Sequence, residues 1–220
     1  MKIKKSLKNI LLCFTLIMSS ITFLGISEVS AAVTLQEQNN FDRISENTID
    51  FPPDNLEITP YAFPIYPGTS LQAKGGDVFY TTKSSTQYLT GHIAILDNYG
   101  YVIHARGVGY GIVRESIDNF LSRYSNEVSI YRAKNTTSGQ QAAQKARELY
   151  NNYRDATYNV VTPLTEYFST QYCTKVVWQS YYYGANINLD DLSLTKITVP
   201  PSWILDTNYL TNVASGLGTQ

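Results

Sequence analysis

The sequence predicts one α+β domain in which a mostly antiparallel strand meander packs against helices. Short apolar runs separated by glycine and asparagine turns occupy residues 75–106, as expected for strands joined by tight connections. Longer segments with helical spacing of apolar residues follow between residues 138 and 184. The whole stretch from residue 61 onward is long enough for one hydrophobic core and too short for two.

The first 31 residues have the pattern of a secretory signal peptide. Four lysines among the first eight residues precede an apolar run over residues 10–24, and Val29-Ser30-Ala31 has the small-residue form of a cleavage site. We therefore expect cleavage after residue 31 and a secreted, extracellular protein, with cell-wall association left open. An uncleaved anchor is the alternative. Lipid attachment at Cys13 is not expected, because the bulky Leu12 precedes it.

Residues 32–60 differ from the rest in composition. They are polar and aperiodic and contain Pro52, Pro53 and Pro60, which predicts a flexible linker or a propeptide-like arm. Residues 61–220 then form the predicted domain. Without residues 1–31 the chain has 13 basic and 17 acidic side chains, a net charge of −4. The net negative charge and the lack of a Lys/Arg cluster exclude a surface for nucleic-acid binding. The sequence after residue 31 has no second long apolar run, so membrane insertion after cleavage is not expected.

Turn residues, alternating apolar positions and a helix cap predict the strands and the first helix. Strands are predicted over residues 78–82, 92–97, 101–106 and 127–133, each beside turn residues or with alternating apolar positions. Ser116 is the expected N-cap of a short helix between the third and fourth of these strands. The buried residues of that helix are predicted to be Ile117, Phe120, Leu121 and Tyr124.

Two further helices and a docking tail complete the expected fold. Ser138 and Gln141 form a capping-box pattern, and the helix that follows aligns Ala142, Ala146, Leu149, Tyr150 and Tyr153 on one stripe. A final helix is predicted over residues 171–184, capped by Thr170 or Ser169 and ended by Gly184. In the tail we expect Trp203, Ile204 and Leu205 to dock on the domain.

Two histidines lie in one predicted hairpin. If residues 98–100 form a three-residue loop with Gly100 in the left-handed conformation, Asp97 pairs with Tyr101. His104 then lies opposite Ala94, on the same face as His92, and the two imidazoles are diagonal neighbours. A two- or four-residue loop would separate them onto opposite faces. The glycine at the third loop position favours the first arrangement.

Cys173 is the single cysteine left after removal of residues 1–31, and it lies in the first turn of the last predicted helix. A lone cysteine in an exported chain indicates a reactive thiol or intermolecular pairing. The helix dipole, the free backbone N–H groups and the nearby Lys175 would favour its thiolate. The alternative is a small buried apolar residue.

A cysteine at a helix start and two histidines side by side are the parts of a thiol-activating triad. One imidazole takes the thiol proton, and a second polar group fixes the tautomer of the first. Two alternatives remain at this point: histidines that serve the fold alone, and a zinc site of Cys173, His92 and His104, which no C-x-x-C or H-x-x-x-H spacing supports. We expect no metal and no cofactor.

Four sequence segments resemble the permuted papain-like amidases of the YaeF/YiiX type, which belong to the NlpC superfamily. They are Gly75-Gly76-Asp77-Val78-Phe79, Gly91-His92-Ile93-Ala94-Ile95-Leu96, Gly100-Tyr101-Val102-Ile103-His104-Ala105 and Tyr172-Cys173-Thr174-Lys175-Val176-Val177-Trp178. Their order, histidines first and cysteine last, is the permuted one. The resemblance covers about residues 72–205 and implies a circularly permuted papain-like (NlpC-like) fold.

The resemblance also implies roles for the three candidate residues. Cys173 is the expected nucleophile, His92 the general base and His104 the orienting third residue. A histidine at the third position, where many YiiX-like proteins carry an acid, is more similar to the lecithin:retinol acyltransferase branch. The implied function is a secreted cysteine amidase or hydrolase acting on cell-envelope peptides. Two alternatives are a thiol acyltransferase or hydrolase acting on lipid amides and esters, and a catalytically silent binding domain.

Overall fold

The fold is built on a six-stranded antiparallel sheet with helices on both faces. The computed structural model describes residues 62–83, 90–124 and 127–218, so the predicted signal peptide and the predicted arm lie outside the described residues. The strands of the sheet are β1 (Val78–Thr81), β2 (His92–Leu96), β3 (Tyr101–Gly107), β4 (Gly111–Ser116), β5 (Val128–Ala133) and β8 (Leu210–Leu217). Their order is β4-β3-β2-β1-β5-β8.

Three helices and a small second sheet complete the described fold. The helices are α1 (Ile117–Leu121), α2 (Thr136–Tyr153) and α3 (Cys173–Ala185). Short 3₁₀ helices cover Leu189–Asp191 and Pro201–Ile204, and β6 (Thr157–Tyr158) pairs in parallel with β7 (Thr170–Gln171). This is the predicted α+β class with a mostly antiparallel sheet. In the described part of the chain no helix is both long enough and apolar enough to cross a membrane.

The sheet buries a different core on each face. On one face Ile93, Ile95 and Ile103 pack with apolar residues of α2 and α3. On the other face Ala94, Leu96 and Val102 pack with α1. Successive residues of β2 therefore alternate between the two cores, as the pleat of a fully buried strand requires. The α3 helix is buried from Cys173 through Tyr181, and the Tyr181 hydroxyl donates to the Gly76 carbonyl over 2.7 Å.

The hairpin prediction is confirmed. Gly100 has φ +81°, the Asp97 N–H donates to the Tyr101 carbonyl, and Leu96 pairs with Val102. The Ser116 cap of α1 is also confirmed, since the Ser116 side chain accepts from the Asn119 N–H. Four strands were not expected from the sequence, namely β4, β6, β7 and β8. Strands β4 and β8 are the two edges of the six-stranded sheet, and Arg114 and Glu115, on opposite faces of β4, both have polar partners. Strands β6 and β7 are only two residues long.

The predicted helix boundaries are wrong at three points. Helix α2 begins three residues earlier than Ser138 predicts, and the Asn135 side chain caps it by accepting from the Ser138 N–H. Among the described residues none caps α3 with a side chain; Thr170 lies in β7, and Tyr172 takes the N-cap position. At the other end, α3 runs past Gly184 and stops where Asn186 adopts φ +55°.

Not all residues of the predicted apolar stripes are buried. In the α2 stripe Ala142, Ala146 and Leu149 are buried, whereas Tyr153 is exposed. In the tail Ile204 is buried, but Trp203 remains 45% exposed. Tyr153 is the last residue of α2, whereas Trp203 lies between residues of a 3₁₀ helix whose Pro201 and Ile204 are buried.

Gly184 sets the approach of α3 to α2 instead of ending its helix. A Cβ atom at Gly184 would lie 2.5 Å from the Gln141 carbonyl oxygen and 2.8 Å from the Lys145 Cβ. Both are atoms of α2, so the absence of a side chain lets the two helices pack closely.

We expect Gly184→Ala to destabilise the protein by about 1–3 kcal/mol, because the helices must separate. Helix propensity alone predicts the opposite sign, a gain of about 1 kcal/mol for alanine over glycine. Chemical denaturation followed by circular dichroism separates the two. A midpoint at or above that of the wild type would contradict the close-packing role.

Candidate active site

The thiol of Cys173 lies where strands β2 and β3 separate. The β2–β3 ladder includes the Ile95–Ile103 and Leu96–Val102 pairs, and no pair toward the start of β2 is formed among the described residues. The Leu96 N–H points to β1 and the Asp97 N–H to β3, so alternation directs the Ile93 N–H toward β3 as well. That N–H is instead close enough to the Cys173 sulfur to lower the pKa of its thiol. Cys173, the first residue of α3, packs in the same core as Ile93 and Ile103 of the two strands.

The two predicted histidines are in direct contact. His92 Nε2 lies 2.7 Å from His104 Nδ1, and both side chains are buried. Helix α1 covers them: Phe120 contacts His104 edge to face and stacks on His92, with ring centroids 5.3 Å and 6.1 Å apart. The diagonal arrangement derived from the hairpin register is therefore present, on the α1 side of the sheet.

Glu115 extends the pair into a longer hydrogen-bonded chain. Its Oε1 lies 2.7 Å from His104 Nε2, and Arg123 makes two hydrogen bonds to the same carboxylate, one of them 2.9 Å long. Sequence reasoning missed both residues. Val113 of β4 lies opposite His104, which puts Glu115 on the same face two residues further along. A strand assigned to residues 111–116 would not by itself have revealed this acid, because the β3–β4 register shifts between Ala105 and Gly107.

The carboxylate fixes the tautomers along the chain. Burial raises the pKa of the Glu115 carboxyl, but its hydrogen bonds with His104 and Arg123 outweigh this and lower the pKa to about 2. An ionised carboxylate only accepts, so His104 Nε2 carries a proton. A neutral His104 then has a bare Nδ1, which accepts the Nε2 proton of His92. The Nδ1 atom of His92 is then unprotonated, so its lone pair can accept a proton, as a general base must.

Both imidazoles stay neutral at the pH values where most enzymes work. Burial lowers the pKa of His92 well below its usual value, and the charges of His104, Arg123 and Arg106 lower it further. Burial also lowers the pKa of His104, although Glu115 opposes the shift. The neutral tautomer chain is consequently the resting arrangement.

The expectation of a thiolate-favouring helix start is wrong for the resting protein. Burial raises the pKa of the Cys173 thiol; the Thr174 hydroxyl and the backbone N–H groups of Ile93, Thr174 and Cys173 lower it only in part. Lys175 does not supply the expected charge beside the sulfur. Its amine is bonded to Thr162 and to the Glu166 and Tyr167 carbonyls, and burial lowers its pKa to about 8.

The structure brings the two histidines together and places the thiol next to the strand residue that follows His92. Within the described residues no hydrogen bond joins Cys173 to either imidazole, and the Cys173 sulfur is 4.0 Å from the Thr174 hydroxyl. All three candidate residues are at most 1% exposed. Among the described residues, no three His, Cys, Asp or Glu side chains are grouped so that they could hold a metal ion.

The fold is that of the permuted papain-like proteins of the YiiX type. The crystal structure of the metalloprotein yiiX from Escherichia coli O157:H7 matches this chain with a TM-score of 0.52 and 21% sequence identity. The match covers 66% of this chain and 98% of that one. At this sequence identity the match supports a shared fold and nothing more. The described residues of this chain contain no group of side chains that could bind a metal ion as a metalloprotein does.

The chain belongs to the family described as lipoprotein N-acylation protein LnsA-like, whose model matches residues 54–211. A curated relative, an uncharacterized 30.3 kDa protein of Bacillus thuringiensis, is 31% identical over 144 residues. The aligned part is 61% of this chain and 53% of the relative, so the chain spans about half the length of that protein.

The raised thiol pKa leads to a test of the resting site. We expect iodoacetamide to alkylate native Cys173 slowly at pH 7, with a rate that rises only above the pH range of the unfolded chain, whose cysteine pKa is about 8.5. The measurement is the alkylation rate from pH 6 to 10 by mass spectrometry, with urea-unfolded protein as the control. A native midpoint below that of the unfolded control would instead establish a preformed thiolate.

Proposed function

We propose that this protein is a cysteine acyl-transfer enzyme in which Cys173 carries the acyl group as a thioester and passes it to an amine. The observation that carries the proposal is the hydrogen-bonded chain His92–His104–Glu115–Arg123, which ends at His92. The next residue of β2, Ile93, has its N–H near the buried Cys173 thiol. Such a chain gives His92 a lone pair and stabilises the imidazolium that forms when the base takes a proton. A domain that only binds a partner does not need hydrogen bonds fixed in one direction along such a chain.

The first half-reaction transfers the acyl group to sulfur. The thiol of Cys173 attacks the carbonyl of an ester or amide donor, and its proton moves to His92 Nδ1 as the carbon–sulfur bond forms. His92 then protonates the leaving alcohol or amine, which departs as the acyl–oxygen or acyl–nitrogen bond breaks. Because the resting thiol and imidazole are both neutral, proton transfer accompanies the attack and no ion pair precedes it.

Backbone N–H groups support the tetrahedral intermediate. The N–H groups of Cys173, Thr174 and Ile93 surround the sulfur, and two of them belong to the uncapped first turn of α3. A carbonyl oxygen bound at the same helix start would accept from these donors as its negative charge develops. The second oxyanion donor, which the sequence left unnamed, is in this proposal Thr174 or Ile93.

The second half-reaction decides between an acyltransferase and a hydrolase. In the transferase an amine attacks the thioester, loses a proton to His92, and leaves as the amide while His92 returns a proton to the sulfur. In the hydrolase water takes the place of the amine. Cys173, His92 and His104 are almost fully buried, so the site must open for either acceptor. An amine that fills the opened site would displace the competing water. The family's description, lipoprotein N-acylation, supports a lipoprotein amino group as acceptor.

The secreted amidase acting on cell-envelope peptides remains the second candidate. It uses the same acyl-enzyme, and the predicted signal peptide at residues 1–31 supports an extracellular setting for either reaction. We propose that the protein works outside the cytoplasm, on lipid-linked or peptide substrates of the envelope, without nucleic acid and without stable membrane insertion.

An acyl-enzyme assay tests the function. We expect incubation with a soluble thioester or activated ester to add one acyl mass to Cys173, and expect Cys173→Ala to lose the adduct and His92→Ala to slow its formation about 10²–10⁴-fold. Hydroxylamine should release the acyl group. Adding a primary amine should release the acyl group from Cys173 faster than buffer alone does. A deacylation rate that the amine does not change would identify the hydrolase. Failure to acylate wild-type Cys173 would leave the silent binding domain.

Glu115→Gln tests the tautomer chain. The amide cannot hold the His104 Nε2 proton and the Arg123 guanidinium as the carboxylate does, so we expect kcat to fall about 10²-fold or more with little change in KM. The matched control is Glu127→Gln, which removes a carboxylate from an exposed ion pair with Lys83.

The pH dependence of stability distinguishes Glu115 from its control. Because the folded pKa of Glu115 is about 2 and the ordinary value is 4.5, its ionisation stabilises the fold above pH 4.5, and that contribution is lost between pH 4.5 and 2. Glu115→Gln should flatten the decline of the unfolding midpoint in this window, and Glu127→Gln should not. Equal kcat values for the two variants would contradict a role for the Glu115 carboxylate in the reaction.

A further inference from the structure

An arginine outside the hydrogen-bonded chain lies at the edge of the candidate site. Arg106 follows His104 by two residues in β3, and it is half-buried, whereas His104 is buried. The β2–β3 register pairs Leu96 with Val102, and the same register places position 106 opposite His92. Arg106 is therefore the β3 position across from the proposed base, where the two strands separate.

A β-bulge sets the direction of the Arg106 side chain. In the β3–β4 ladder the pair formed by Ala105 is followed by the pair formed by Gly107, which leaves Arg106 as an extra residue of β3. Such a bulge interrupts the regular alternation and can turn a side chain toward a site. The Arg106 guanidinium lies 4.6 Å from the centre of the Tyr110 ring, and its charge is close enough to both imidazoles to lower their pKa values. The cation thus lies at the edge of the histidine pair.

The hairpin that carries this arginine is held in place at its tip. The Ile112 N–H donates to the Arg154 carbonyl over 2.9 Å, and a Cβ atom at Gly111 would collide with that same oxygen. These contacts fix the β3–β4 hairpin against the end of α2. Tyr110, whose ring lies beside the guanidinium, is 47% exposed. The cation is therefore carried by a fixed support and lies next to a ring that is open to solvent.

Among the described residues no acidic side chain forms an ion pair with Arg106. The acids at positions 97 and 118 lie near the opposite end of β3, where that strand begins. Residues 84–89 and 125–126, which fall between the described ranges, contain no acid in their sequence. Three carboxylates nearer this end of the sheet have basic partners of their own: Glu115 binds Arg123, Asp155 binds Arg154 and Glu127 binds Lys83.

The proposed reaction assigns the space across from His92 to the leaving group. His92 protonates the leaving atom of the donor and later takes a proton from the acceptor, so each of these atoms must lie next to its imidazole in turn. The chemical groups attached to them are then within reach of the long side chain at position 106. A guanidinium without a carboxylate partner binds phosphate or carboxylate oxygens through its planar set of N–H donors.

We propose that Arg106 is a substrate-specificity residue, which binds an anionic oxygen group, phosphate or carboxylate, close to the leaving atom of the acyl donor. The inference rests on the proposed acyl transfer and adds the charge of the substrate to it. Arg106 takes no part in the proton transfers. The competing explanation is that Arg106 only keeps the two imidazoles neutral, in which case the charge of the donor does not affect the rate.

Matched thioesters test the charge preference. The donors are the butanoyl thioesters of 3-mercaptopropanoate, which is anionic, and of 3-mercaptopropanamide, which is neutral. The Cys173 sulfur bonds to the acyl carbon, the bond from that carbon to the donor sulfur breaks, and the Cys173 proton passes through His92 to the departing thiolate. We expect the rate constant of Cys173 acylation, measured by mass spectrometry of the full-length protein, to be about tenfold higher for the anionic donor. The preference should fall as the salt concentration rises, because Arg106 is partly exposed.

Substitutions at position 106 should change the ratio of the two rate constants. We expect Arg106→Gln to abolish the preference, Arg106→Glu to make the neutral donor the faster one, and Arg106→Lys to keep part of the preference. A loss of folded protein lowers both rates together and leaves their ratio unchanged. The matched control is Arg154→Gln, which removes an arginine from an exposed ion pair with Asp155 and should not change the ratio. The butanoyl thioester of 2-mercaptoethyl phosphate shows whether phosphate or carboxylate is the preferred group.

A binding measurement separates this inference from the proposed function. N-butanoyl-β-alanine, an unreactive analogue of the anionic donor, and its neutral amide are titrated into the full-length Cys173→Ala protein and followed by NMR. We expect the acid to bind about tenfold more tightly than the amide, and Arg106→Gln to remove the difference. Acylation at equal rates by the charged and neutral donors, or a preference that Arg106→Gln retains, would overturn the role of Arg106 alone. Binding that depends on Arg106 without any acylation of Cys173 would refute the proposed function alone.

Discussion

The separation of β2 from β3 is the constraint on which the candidate site depends. The two strands are paired at Ile95 and Leu96, and among the described residues no pair forms at Ile93. The Ile93 N–H, which would continue the ladder, lies close enough to the Cys173 sulfur to lower the pKa of the thiol. Cys173 packs in the core on the α2–α3 face of the sheet, whereas the two histidines lie on the α1 face. The interruption of the ladder is next to His92 in β2. Continuous pairing to the end of β2 would leave no space for the sulfur.

The buried polar side chains of this site carry few net charges, so little charge has to be removed from water. The two imidazoles are neutral at rest, and the Glu115 carboxylate is neutralised by Arg123, which lies at the more exposed end of the chain. Phe120 covers the imidazoles and raises the cost of charging them before substrate arrives. The arrangement keeps a base available at neutral pH while the Cys173 thiol stays protonated, which also protects the thiol from oxidation.

The parts of the site that follow from local signals were predictable. Gly100 fixes a three-residue loop, the loop fixes the register, and the register places His92 beside His104. The sequence also indicated that Cys173 opens a helix. Glu115 was beyond reach because its position depends on a β3–β4 pairing that contains an irregularity between Ala105 and Gly107, which local patterns do not encode.

Where tertiary packing decides, local rules misled. Ser138 has the sequence pattern of a cap, yet Asn135 lies three residues earlier and takes that position, with the Ser138 N–H as its donor. Gly184 has the pattern of a helix stop, yet its role is to let α3 approach α2. The positive end of α3 suggested a thiolate, but the pKa of a group depends on burial as well as on the helix dipole, and here burial dominates.

The closed site limits how an acyl-enzyme can be resolved. A thioester formed at Cys173 would lie among residues that exclude water from the base, so its lifetime depends on which acceptor can enter. Because Cys173, His92 and His104 are at most 1% exposed, donor and acceptor alike require the site to open. In the proposed mechanism, an acceptor amine that fills the opened site displaces the competing water, and this exclusion of water would favour transfer over hydrolysis.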